Sequence, residues 1–127
     1  MPTEKFHNLE IWQLGIALVK KIYLMTREFP DHELYTLTTQ MRRSALSIPS
    51  NIAEGSRRNS YAEFIRFINI ARGSLAELET QVIVVRELGY IREDIFQTLS
   101  EDIDHISRKT SNFSKKLTAI LRPAPNA

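Results

Sequence analysis

The chain has 127 residues, enough for one domain that buries roughly two thirds of its unfolded surface. Four glycines, five prolines and 43% apolar residues exclude a disordered or fibrous polymer; the lack of cysteine excludes a disulfide framework, a thiol nucleophile and cysteine-ligated zinc. The net charge is only +2, but it is unevenly spread: residues 40–72 carry six arginines against two acids, 73–104 eight acids against two arginines, and 105–127 five bases and no acid.

Four helical patterns follow in chain order, with no alternating strand pattern. The first spans about residues 8–27, where Trp12, Gly15, Ile16, Val19, Ile22, Tyr23 and Thr26 share one face. Phe29 ends it, because the residue before Pro30 is pushed out of the α region. The second spans about 33–54 on Leu34, Leu37, Met41, Ala45, Ile48, Ile52 and Ala53, with Gly55 expected as a left-handed cap. Pro49 lies inside it. Proline there costs about 3 kcal/mol, yet a break would waste a continuous apolar face, so a helix kinked at Pro49 is preferred over two pieces. The third spans about 60–88, opening on the capping box Ser60 to Glu63 and closing at Gly89. Its face is Phe64, Phe67, Ile68, Ala71, Leu75, Leu78, Val82, Val85 and Leu88. The fourth spans about 93–121 on Ile95, Leu99, Ile103, Ile106, Phe113, Leu117 and Ile120, before a tail marked by Pro123 and Pro125. Short connections between long amphipathic helices give one single-domain, all-α solution, an antiparallel up-down-up-down four-helix bundle.

Small residues along the second helix, together with Gly73 and Ser74 in the middle of the third, are expected to admit a close neighbour, either an internal helix or another subunit. Asn51 reads as an amide bonding backbone near Pro49, and Glu54 as an ion-pair partner of Arg42 or Arg43. The segments SIPSNIAEG (Ser47–Gly55), FIRFINIARGSLAELE (Phe64–Glu79, containing Glu77) and LGY (Leu88–Tyr90), with Phe29, Pro30, Tyr35 and the pair Arg42–Arg43, resemble the four-helix-bundle proteins encoded within intervening sequences of bacterial 23S rRNA genes. The resemblance covers about residues 6 to 121. It implies a bundle that forms homo-oligomers, pentameric rings among related members, with nucleic acid the usual proposed ligand. It also extends to the accessory variability protein of diversity-generating retroelements, a basic pentamer that works with a reverse transcriptase.

Arg42, Arg43, Arg57, Arg58 and Arg66 are the candidate phosphate-binding set, because guanidinium forks bind phosphate in bidentate fashion. This gives a non-enzymatic RNA- or DNA-binding accessory protein; the alternative is a scaffold that docks a protein such as a polymerase. The bases after His105 read as an ordinary helix exterior. Trp12, Tyr23, Phe64, Phe67 and Phe113 are assigned to the core, leaving Tyr35, Tyr61 and Tyr90 at helix ends for a base or a subunit neighbour. No catalytic site, metal or cofactor is expected: His7, His32 and His105 are dispersed, and Asp102 with His105 lacks the second such pair that a bundle metal centre needs. The longest apolar run, Leu14 to Val19, is too short to span a bilayer and the first residues lack an apolar leader, which points to the cytoplasm.

Overall fold

The computed structural model describes residues 5–122. Four helices account for most of them: α1 (Glu10–Thr26), α2 (Thr39–Ser56), α3 (Tyr61–Glu87) and α4 (Glu93–Leu121). Residue pairs across each seam run in opposite sequence directions. Gly15 meets Pro49 and Thr26 meets Arg42 between α1 and α2; Ser47 meets Ser74 and Gly55 meets Phe67 between α2 and α3. Phe64 then meets Phe113 and Arg86 meets Phe96 between α3 and α4, and α4 returns to α1 through Lys21–Asp102 and Lys109–Glu10. No helix among the described residues is long and apolar enough to cross a membrane.

The face that α1 buries differs from the expected one. Ile11, Gly15, Leu18, Ile22 and Thr26 are buried, whereas Ile16 and Tyr23 are 43% and 37% exposed. The core keeps Gly15, Ile22 and Thr26 of the expected stripe and takes Ile11 and Leu18 in place of Ile16 and Tyr23. The missing side chain of Gly15 lets Pro49 approach: a Cβ there would lie 3.3 Å from Pro49 Cβ.

α2 begins six residues later than the pattern predicts. Asp31–Glu33 form a 3-10 turn and Leu34–Thr38 a π-helical turn. Threonine hydroxyls compete for main-chain carbonyls here: Thr39 Oγ1 donates to the Leu34 carbonyl and Thr36 Oγ1 to that of Glu33. From Thr39 the helix runs as one element past the buried Pro49 to Ser56. Asn51 Nδ2 donates to both the carbonyl and the hydroxyl of Ser47, each at 2.8 Å, and Ser47 Oγ lies 2.8 Å from Ser74 Oγ on α3. Asn51 and Ser74 thus form a small polar seam between α2 and α3.

One glycine expectation needs correction and another is narrowed. Gly55 is no left-handed cap; it is buried inside α2, and a Cβ there would lie 2.6 Å from Phe67 Cβ and 3.0 Å from Phe64 Cδ1. It is a point of very close approach between α2 and α3. Gly73 admits no packed neighbour from within the chain: it is exposed, and a Cβ added to it would meet no atom within 4 Å. An interior helix glycine costs about 1 kcal/mol against alanine, and among the described residues nothing offsets it at Gly73. Gly89 does follow expectation: its φ of 78° ends α3, and the following Tyr90 N–H donates to the Val85 carbonyl. At the other end of α3, Ser60 Oγ accepts from the Glu63 N–H at 3.1 Å.

Candidate functional site

The five arginines singled out in the sequence do not form one surface. Arg42 and Arg57 are fifteen residues apart on a continuous helix, about 22 Å at 1.5 Å per residue. Arg42 is half-buried at the α1 end: its Nε donates to Thr26 Oγ1 at 2.9 Å and its guanidinium lies over the Tyr23 ring. Arg43 beside it is exposed. The other three do gather, around the turn between α2 and α3. Arg58 and Arg66 both cover the buried Phe67 ring, and Arg57 covers Phe6.

Carboxylates meet two of these three. Arg58 pairs with Glu54 at 2.9 Å and Arg66 with Glu63 at 2.7 Å. Glu54 therefore serves Arg58, one helical turn away, in place of the expected Arg42 or Arg43, which lie about three turns back. The hydrogen bond from Arg66 holds the Glu63 carboxyl below its usual value near 4.5, and Glu63 raises the Arg66 guanidinium in turn. Arg92 lowers Asp94 in the same way, first through its hydrogen bond. A carboxyl that is more acidic folded than unfolded adds stability above the unfolded pKa and loses it as pH falls through the folded one. Melting temperature is therefore expected to drop on acidification below about pH 4.5, and Glu63→Gln to flatten that part of the profile. Thermal melts of both proteins between about pH 3 and 7 measure it; both pairs are exposed, so the difference is small.

Among the remaining assignments, Phe64 and Phe67 are buried, Trp12 and Phe113 pack half-buried against the core, and Tyr23 is the aromatic that the core leaves out. Tyr35 is 89% exposed; Tyr61 and Tyr90 are half-buried, Tyr90 against Phe29. Glu77 is exposed on α3. Asp102 is bound by Lys21 at 2.6 Å and, with His105, lines a cavity of about 80 Å³. Among the described residues, no three histidine, aspartate or glutamate side chains come together as a metal would require.

A larger feature has no counterpart in the linear pattern. An open groove of about 510 Å³ runs along the seam of α1 and α4. Leu24, Met25, Tyr90, Ile91, Ile95 and Leu99 supply its apolar lining, and Lys21, Glu28 and Arg92 add charge. Residues 21–28 and 90–99 build it, so no local motif could announce it. The one sequence signal is Leu24 and Met25, which fall off the expected stripe of α1.

Long helices, an apolar core and grooves on the outer seams define a helical-bundle protein. The chain belongs to the 23S rRNA-intervening sequence protein family, whose model matches residues 7–112. The bundle is similar to the 1.70 Å crystal structure of a protein of unknown function from the S23 ribosomal protein family of Bacteroides thetaiotaomicron. The TM-score is 0.75 at 22% identity, covering 83% of this chain and 98% of that one, which is a likeness of fold. No curated protein is matched by the sequence.

Proposed function

We propose that this protein is a non-enzymatic scaffold that self-associates head to tail, the α1–α4 groove of one copy taking an apolar ridge of the next. The groove carries the reading: a concave apolar strip with charged margins suits a helix face. An apolar ridge stands on the other flank, where Ile16 and Tyr23 of α1 and Leu46 of α2 remain 43%, 37% and 47% exposed. The position of Arg42 over Tyr23 puts that ridge on the α2 side, while Leu24, 47% exposed, faces the groove on the α4 side. A groove and a ridge on different flanks make a heterologous contact, which closes into a ring when the rotation permits; a five-membered ring is one such closure.

The reading that puts nucleic acid on Arg42, Arg43, Arg57, Arg58 and Arg66 has less support, since the set is divided along α2 and two members already hold carboxylates. Mass measurement of the intact protein tests the scaffold. Assemblies larger than a monomer are expected at micromolar concentration, and Leu24→Glu, which introduces a charge into the groove, should return the protein to monomer with its helicity retained. A wild-type monomer at about 100 μM, or an assembly indifferent to Leu24→Glu, would remove the reading in favour of a scaffold for a different protein.

A further inference from the structure

A second groove lies on another seam of the molecule, between α3 and the C-terminal half of α4. It is about 330 Å³ in volume and is lined by Arg72 of α3 and by Ser111, Ser114, Lys115, Thr118 and Arg122 at the α4 side. Among the described residues, no carboxylate lines it. Ser111, Lys115, Thr118 and Arg122 follow the i, i+4, i+7, i+11 rule that keeps them on one strip, about 16 Å long. Arg72 is steadied by Asn69 Oδ1 at 3.4 Å, a neutral amide that leaves its charge uncompensated. This sets the groove apart from Arg58, Arg66, Arg86, Arg92, Arg108, Lys21 and Lys109, each of which has a carboxylate within 4 Å.

We infer that this groove binds the sugar–phosphate backbone of a single nucleic-acid strand, with Arg72, Lys115 and Arg122 meeting phosphates spaced along it and the hydroxyls supplying hydrogen bonds between them. The shape favours a strand over a lone phosphate: Lys115 and Arg122 are about 10 Å apart along the helix, and the site is an open channel. Beyond Arg72 the channel continues into a shallow depression formed by Asn69, Arg72, Gly73, Ala76, Glu79 and Ser107. Gly73 meets nothing that would require it to lack a side chain, and here it leaves the α3 backbone open to close approach by a ligand. Glu79 puts a negative charge in that depression and so marks the end at which a phosphate is disfavoured. Among the described residues no aromatic ring lines the channel, so recognition is of backbone charge and tolerant of sequence. The inference does not depend on what occupies the α1–α4 groove.

Anisotropy titration of the full chain with a fluorescent single strand of about 12 nucleotides, at about 50 to 200 mM salt, tests it. With about three phosphates neutralised, the slope of log K against log salt is expected near −2. The triple variant Arg72→Gln/Lys115→Gln/Arg122→Gln should weaken binding at least tenfold at about 50 mM salt and bring the slope toward zero, with unchanged melting temperature and assembly mass. The pair Arg43→Gln/Arg57→Gln should bind as wild type does. Gly73→Leu keeps every charge and favours the helix, so a several-fold loss of affinity in it would report the close approach directly. Absence of binding by the wild type at about 50 mM salt would overturn the inference, as would loss of binding in the Arg43/Arg57 pair with the groove variant unaffected. Displacement of the strand by pyrophosphate at equal phosphate concentration would likewise overturn it, by making a free phosphate compound the ligand. The self-association test reads mass without nucleic acid, so each idea can fail without the other.

Discussion

Replacing Phe64 with alanine is expected to destabilise the fold by about 3–5 kcal/mol, the range for removing a large aromatic side chain from a tight core. Phe64 is 2% exposed in the first turns of α3, and it touches both neighbouring helices. Its ring centroid lies 5.3 Å from that of Phe113 on α4, edge to face, and its Cδ1 marks the wall that Gly55 of α2 approaches. Removing the ring therefore opens a void at the point where three helices meet, and neither α2 nor α4 can close it without losing register elsewhere. A total stability of about 5–15 kcal/mol makes this a large fraction. Urea denaturation should show a much lower midpoint with an unchanged slope. A loss below about 1 kcal/mol would mean that α4 does not rest on this ring.

Where a signal is local, the sequence carries it. The Ser60 cap, the end of α3 at Gly89 and the span of α4 depend on residues within one or two turns, and each stands within a residue or two of expectation. The face of α1 is ambiguous for a physical reason: Ile11–Gly15–Leu18–Ile22 and Trp12–Ile16–Val19–Tyr23 have the same periodicity, the expected face draws on both, and which residues are buried depends on packing against other helices, as at Gly15 and Pro49. The delayed start of α2, a 3-10 turn followed by a π-helical turn, goes with hydroxyl-to-carbonyl contacts of Thr36 and Thr39, which periodicity does not register. Charge is the least legible of all. Arginines close in sequence lie far apart once a helix separates them, as Arg43 and Arg57 do, while Arg72, Lys115 and Arg122 come together from two helices. The α1–α4 groove is built from segments that no linear motif joins, and the second groove is completed only when Arg72 of α3 meets a strip of α4.

Valine at position 55 is expected to cost about 3 kcal/mol, and alanine about 1–2 kcal/mol, although alanine is the better helix former by about 1 kcal/mol. The difference from an ordinary glycine substitution lies in what the new atom meets. At Gly55 the nearest obstacle is Phe67 Cβ, fixed to the backbone of α3, with the Phe64 carbonyl oxygen 3.3 Å away. Neither can move aside by a rotamer change, so relief requires α2 and α3 to separate, and separation strains the Ser47–Ser74 contact two turns along. Valine adds two γ atoms to that collision and brings no gain in helix propensity over alanine. Gly73→Ala supplies the contrast on the neighbouring helix, because its Cβ enters open space; it should stabilise the protein by about 1 kcal/mol. Denaturation midpoints of the three variants against the wild type decide the matter. Opposite signs for alanine at positions 55 and 73 are expected, and a stabilising Gly55→Ala would show that the α2–α3 seam is not tight enough to hold Phe67 where Arg58 and Arg66 cover it.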